Sequence, residues 1–496
     1  MSNFDPLAER WELMQRQPEI VLPEQLGLRA DNPALIAIQD FSLRVHEPRA
    51  LEHPLRVAKI LYDFAGDMLP TETLEAALLH DIVERYENTD SLQRPNAKIV
   101  LQEYFDDKNT DNDKKIFVSS LLGDMKTVED AAETYRTAYD EDPRLAEILS
   151  GKPTSEIIRP QHWFAQSKTV DVEKMQILLE AVNLESVLIK AAELLDNIIH
   201  TPPKDRSLIQ DVFEAESFYA PLCEILGFDG LSMALRDAAA HNRFNKSGNN
   251  FVLNQAVELV NTVEAEGSID AVIVKLFGDD ALNEPVLGRL SEHAVRVDEV
   301  IASAGGIELA GVARVKSVGS LALKLARGAG EPPMDIIGIT FIAEDVKMAS
   351  RFFHALLARI EELPDVDPVP APSRDEAIHI RGDSDFVTEF LKDASPDAKI
   401  DIKVQPAGAF QVAKVTLKMH HKVPVEIQVQ TKEDRKNARE GYAAHIRHKD
   451  GGREHAIAAL GSIHERKKKL QKDRLDVNGQ SIHRGMTLLN KLGIIQ

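Results

Sequence analysis

The sequence predicts a multi-domain chain. An all-α domain over residues 1–245 precedes an α+β domain with a mixed or antiparallel sheet over residues 246–450, and a helical tail follows at 451–496. Three observations lead there. At 496 residues the chain has room for two or three hydrophobic cores. To about residue 245 its apolar residues recur at three- and four-residue spacing with almost no alternating runs, which is the period of helices. After the polar stretch HNRFNKSGNN at 241–250 and one more helical segment, FVLNQAVELVNTVEAEG, alternating apolar runs enter the sequence, which is the period of strands.

The all-α part is organised around two segments. TETLEAALLHDIV places Leu74, Ala77, Leu78 and Val83 at helical spacing, with Glu72 and Glu75 favouring the first turn, so His80 and Asp81 lie on a helix. His53 opens an earlier apolar-periodic segment through Leu55, Val57, Ala58, Ile60 and Leu61, a second helix able to bring its imidazole against that pair. Imidazole with carboxylate suits a borderline divalent ion. On these residues alone a hydrogen-bonded core histidine is the commoner outcome, and both readings stand. Asp140 to Pro160 is rich in turn residues and predicts a surface excursion from the bundle.

In the α+β part, MDIIGITFIAED alternates and predicts a strand buried on both faces. VAKVTLKM and VPVEIQVQT flank His420, His421 and Lys422 and predict an antiparallel hairpin. Lys414, Thr416 and Lys418 take the face opposite Val415, Leu417 and Met419, while Glu426, Gln428 and Gln430 oppose Val425, Ile427 and Val429. A polar sheet face of this kind can carry a site. Residues 362–400 begin Pro- and Asp-rich and predict a long loop or insertion. From residue 454, EHAIAALGSIHERKKKLQKDRL predicts an amphipathic helix whose basic run is a solvated face in preference to a nucleic-acid patch.

Hydrophobic residues at 43% and charged residues at 28% are ordinary for a soluble globular chain. The net charge of -21 argues against a broad nucleic-acid or membrane surface and leaves room only for a local basic pocket. The single cysteine, Cys223, excludes an intramolecular disulfide, and its apolar neighbours predict a packed thiol in a reducing compartment. MSNFDPLAER carries acids and no apolar core, so no secretory signal is expected there. No apolar run approaches the roughly 18 residues of a membrane span. A cytoplasmic location is expected.

The order of these motifs resembles the RelA/SpoT family, synthetases and hydrolases of the alarmone (p)ppGpp, over roughly residues 25–450. Arg44, the run His53-Pro54-Leu55, ALLHDIVE, IKAAELLDNI and YAPLCEILG resemble its HD hydrolase domain. RVKSVGSLALK, DIIGITFI, VEIQVQT and GYAAHIRHK resemble its nucleotidyltransferase-like synthetase domain. The chain is similar to a short, two-domain member without the regulatory modules of long ones.

For the first half the resemblance implies Mn2+ held by His53, His80, Asp81 and a carboxylate of the third motif. The family has Asp where this chain has Glu193, and Asp196, one helical turn on, is the alternative ligand. It also implies that Glu84 orients the attacking water, and that Arg44 and Asn197 lie near the nucleotide. Arg85 stands where the family has an acid, and could clamp Asp81 or an anionic substrate. For the second half it implies that Arg314, Lys316, Ser320 and Lys324 grip ATP phosphates. Asp335 and Glu426 would hold Mg2+, with Gln428 as strand neighbour and Phe410 as the guanine-stacking ring. There the chain departs from the family at Thr340, Gln430 and Lys414.

Four functions follow in order. First is an Mn2+-dependent (p)ppGpp pyrophosphohydrolase with a partly degenerate synthetase-like domain. Second is a synthetase or bifunctional enzyme moving pyrophosphate from ATP to GDP or GTP. Third is a catalytically impaired nucleotide-binding regulator, and fourth an HD phosphohydrolase of another nucleotide. Guanine nucleotide and ATP are the partners implied; neither membrane nor ribosome binding is expected, and the oligomeric state is left open.

Overall fold

The computed structural model describes residues 26, 28–65, 69–88, 92–106, 111–140, 178–200, 211–212, 214–226, 228–246, 250–265, 268–277, 297–316, 318–327, 333–370, 376–395, 398–406, 411–419, 423–435 and 479–494. Phe410, the GYAAHIRHK motif and the basic run after residue 454 lie outside them, as does nearly all of the predicted excursion at 140–160. The chain divides into two compact units, and the C-terminal segment belongs to the first.

Among the described residues the first unit is all helical. Its elements are α1 (Pro33–Val45), α2 (Arg49–Ala65), α3 (Thr71–Glu87), α4 (Arg94–Asp106), α5 (Asn112–Asp140) and α6 (Leu184–His200). A π-helical turn (Ala215–Tyr219) leads into α7 (Ala220–Leu226), and α8 (Asp229–Lys246) follows. Asn32 caps α1, its side chain accepting from the amides of Ala34 and Leu35, with Pro33 in the first turn where its missing N–H costs nothing. Helix α2 begins at Arg49, four residues before the start expected at His53, because the carbonyls of Glu47 and Pro48 already receive the amides of Ala50, Leu51 and Glu52. Pro54 then sits inside the helix, directly after His53. Having no N–H, it leaves the Ala50 carbonyl without its usual partner and loosens the helix beside that histidine.

Helix α6 is the axis of this unit, buried along almost its whole length from Leu184 to Ile199. An element so enclosed must justify every polar side chain it carries by a partner. Lys190, Glu193 and Asp196 are such residues. The C-terminal helix α14 (Gly479–Leu492) packs along α5. The two backbones meet at glycines: a Cβ on Gly485 would lie 2.6 Å from the Ser120 amide nitrogen, so any larger residue pushes the helices apart. Arg484 and Ser481 of α14 bond the buried Asp124 of α5, each at 2.6 Å.

Among the described residues the second unit carries α9 (Asn250–Ala265) and α10 (Ser268–Phe277) and a mixed eight-stranded sheet. Its strands are β1 (Val297–Ala304), β2 (Ile307–Val315), β3 (Ile337–Ala343), β4 (Val366–Pro368), β5 (Ile378–Gly382), β6 (Ile400–Val404), β7 (Val412–Met419) and β8 (Val423–Thr431). Helix α11 (Val318–Arg327) follows β2, α12 (Val346–Glu362) follows β3, and α13 (Ser384–Lys392) follows β5. The order is β1-β2-β3-β8-β7-β5-β6, with β4 on β7; β3 runs parallel to β8 and β5 to β6.

The hairpin predicted at β7 and β8 is present, with Val415 opposite Ile427. The strand β3 differs from its expectation. Ile337, Ile339, Phe341 and Ala343 are buried, whereas Gly338, Thr340 and Ile342 are only half-buried. The buried side packs on α10 and α12, where Phe341 meets Phe277 and Phe352 at ring separations of 5.1 and 5.0 Å. The other side faces a pocket. Alternating Ile and Thr residues look alike to a sequence whether the second face meets protein or space.

Candidate metal centre

Helices α2, α3 and α6 bring His53, His80 and Glu193 together in the first unit. One ligand atom from each lies within 4.8 Å of the others, and all three residues are buried. The hydrogen bonds define the tautomers. His80 Nδ1–H donates to the Ala77 carbonyl at 2.6 Å, and His53 Nδ1–H donates to Asp196 Oδ2 at 2.7 Å. Neither acceptor has a proton to give, so both rings turn Nε2 inward, and these two atoms stand 3.3 Å apart. Two bonds of about 2.1 Å to one ion, at an angle near tetrahedral, span such a gap. Glu193 Oε2 lies 3.8 Å from His80 Nε2 and accepts no well-aligned hydrogen bond, although Lys190 Nζ is 2.7 Å away. Two neutral imidazoles and a buried carboxylate oxygen form a donor set that fits a divalent ion.

Around this core the charges are paired. Asp196 receives His53, both nitrogens of an Arg56 fork at 2.7 and 2.9 Å, and His200. Burial opposes its ionisation, yet these partners push its pKa far below the carboxylate range. Burial likewise opposes a charged His53, and the bond and charge of Asp196 overcome it, raising the imidazole's pKa. Lys190, only 8% exposed at its side chain, bridges Glu193 and Glu84, reaching Glu84 Oε1 at 3.0 Å. Glu84 in turn keeps 45% of its side chain exposed. Desolvation raises the pKa of Glu84, but the charge and hydrogen bond of Lys190 prevail and hold it below its ordinary value.

The other expected residues are placed differently. Asp81 is not among the converging atoms: Arg85 Nε holds its Oδ2 at 3.1 Å, and Arg85 is itself anchored by Glu47 at 2.8 Å and by Gln93. Asp196 stands behind His53 instead of beside it, orienting the ring through the nitrogen remote from the cluster. Between the two candidate carboxylates, Glu193 is therefore the one at the centre. Arg44 engages Asp40 at 2.6 Å and Glu103 at 3.0 Å. Asn197 is half-buried on α6. The reading from sequence did not single out Lys190 or Arg56. Each lies three residues from a cluster histidine or acid, on the same helical face, and that spacing was the available signal.

Residues 50–150 match the family described as HD domain. No curated protein matches the chain. HD domains bind divalent metals and are typical of metal-dependent phosphohydrolases, and this match spans His53, His80, Asp81 and Glu84. The HD segment thus contributes both imidazoles, and Glu193 comes from α6 beyond it. Among the described residues no helix is long and apolar enough to cross a membrane.

The second unit holds a separate pocket of about 120 Å³ on the open face of β3 and β8, lined by Lys316, Asp335, Gly338, Thr340, Glu426, Gln428 and Arg435. Lys316 reaches Asp335 Oδ2 at 2.7 Å, and Lys324 of α11 bonds the same oxygen. Burial works against the charge on Asp335, and the two ammonium groups lower its pKa to about 2. Glu426 accepts Lys414 on Oε2 and Gln428 on Oε1, both at 2.6 Å. Arg314 lies in β2 opposite Gly338, and Ser320 in the first turn of α11.

Proposed function

We propose that the first unit is a metal-dependent phosphohydrolase that removes the 3'-pyrophosphate of (p)ppGpp, with Mn2+ as its ion, and that the chain is a RelA/SpoT-like protein of the cytoplasm. The observation that carries this reading is the pair of inward Nε2 atoms of His53 and His80 beside Glu193, within an HD match. An ion held by these three side chains supplies acidified water and neutralises phosphate charge when bound.

The chain's own groups define the rest. Asp196 and the Ala77 carbonyl keep both imidazoles in the tautomer that leaves Nε2 free. Lys190 keeps Glu84 ionised, hence a pure acceptor, and its exposed carboxylate orients the water that attacks phosphorus. Water adds to the phosphorus bonded to the ribose 3'-oxygen, that P–O bond breaks, and the 3'-oxygen takes a proton. The products are GDP and pyrophosphate from ppGpp.

Purified protein with Mn2+ and labelled ppGpp tests this. The expected outcome is stoichiometric GDP and pyrophosphate, lost in His80→Ala; no turnover by the native protein overturns the substrate assignment.

A further inference from the structure

The sheet of the second unit ends on one side at β6, which among the described residues pairs only with β5. An end strand presents a row of unpaired backbone groups to any second strand, and proteins blunt such edges with proline, bulges or lysines. Strand β6, Ile400-Asp401-Ile402-Lys403-Val404, contains no proline, and its register with β5 is unbroken from Ile400 to Val404. Its apolar side chains stay out of the core: Ile402 is 43% and Val404 58% exposed. They lie on the face that α13 closes further in, Ile402 beside the buried Ile380 and Val404 beside Gly382, against which Phe386 of α13 packs. Leu391 of α13 is also exposed.

The direction of the backbone decides what can pair there. The Gln405 amide donates to the Gly382 carbonyl at 2.7 Å. By alternation Asp401 and Lys403 turn their backbone groups to β5, and Ile400, Ile402 and Val404 turn theirs to the outer edge. We propose that β6 pairs antiparallel with β6 of a second copy of this chain, about a two-fold axis through Ile402, so that the two sheets become one. In that register Ile402 meets Ile402 and Ile400 meets Val404 as hydrogen-bonded pairs. Asp401 of each copy then faces Lys403 of the other at the closer, non-hydrogen-bonded positions, on the opposite face. The strand is self-complementary in charge only there. An axis through Asp401 or Lys403 sets like charges opposite each other, and an axis between residues leaves the outward groups unmatched. Asp401 keeps 45% of its side chain exposed although its Oδ2 lies 2.9 Å from His379 Nδ1, and Lys403 is exposed. A lysine that would deter other strands is thus answered by the aspartate of its own copy. A pairing this short falls below the roughly 1,000 Å² of a permanent interface, so the association is reversible.

Sedimentation of the full chain over a micromolar concentration series tests this. A concentration-dependent monomer–dimer equilibrium is expected in the native protein. Ile402→Pro removes an outward N–H and no bond to β5, so the dimer should be lost with melting unchanged. In Lys403→Asp association should weaken by about tenfold or more, because both cross-strand charge pairs become repulsive. Asp401→Lys should do the same. Mixing the Lys403→Asp and Asp401→Lys chains restores both pairs of opposite charges, and a mixed dimer should form where neither variant dimerises alone, a gain that misfolding cannot produce. The proposal is overturned by a native chain that stays monomeric throughout, by a dimer that survives Ile402→Pro, or by natively melting charge variants that fail to associate when mixed.

Discussion

His53 and His80 present their Nε2 atoms to each other at 3.3 Å while each Nδ1–H is committed elsewhere, that of His53 to Asp196. The ring of His53 therefore depends on a carboxylate that does not face the cluster. Asp196→Ala should weaken Mn2+ binding by about 10–100-fold with all three ligands still present. A Mn2+ titration that returns native affinity would show the orientation to be unimportant.

Proton competition gives the centre a pH dependence of defined sign. The pKa of His53 is raised in the fold, above its unfolded value near ~6.5. Its charged pairing with Asp196 stabilises the metal-free protein fully below that value, and the contribution is lost as pH rises through the folded pKa. Metal binding needs the deprotonated ring, so Mn2+ affinity should fall by about tenfold per unit on the acid side of that pKa. Melting of the metal-free chain and Mn2+ titrations over the same pH series check both limbs, which must run in opposite directions.

Lys190 is the buried counter-charge for two acids on different helices. Lys190→Met leaves Glu84 and Glu193 facing each other without a cation. Loss of about 3 kcal/mol in the metal-free protein is expected from urea unfolding. Saturating Mn2+ should recover part of it, because the ion restores positive charge beside Glu193. No recovery would place the ion away from Glu193.

Arg85 holds Asp81 away from the cluster. In Arg85→Gln the Asp81 carboxylate is released one residue from His80, and Mn2+ affinity should rise by about tenfold. Unchanged affinity would show that Asp81 stays outside the ligand set even when free.

These residues also show what the sequence could and could not reveal. The helix carrying His80 was legible from its period, as were the β7–β8 hairpin and the polar face bearing Glu426 and Gln428. The start of α2 was not, since Glu47 and Pro48 cap it through backbone carbonyls that leave no side-chain signature. Which acid joins the histidines was likewise hidden. Asp81 is the neighbour of His80 in sequence, but Arg85, fixed by Glu47 and Gln93 from other parts of the bundle, removes it, and Glu193 arrives from a helix about 110 residues away. Lys190 escaped notice because a lysine in an amphipathic helix is ordinarily solvated, whereas α6 is enclosed on every side.

The most direct measurement is the metal content of the chain purified without chelator. One divalent ion per chain in the native protein, and none in His53→Ala/His80→Ala, is the predicted result. A native protein that takes up no metal when Mn2+ is supplied, or a double variant that keeps its ion, would contradict the centre built from His53, His80 and Glu193.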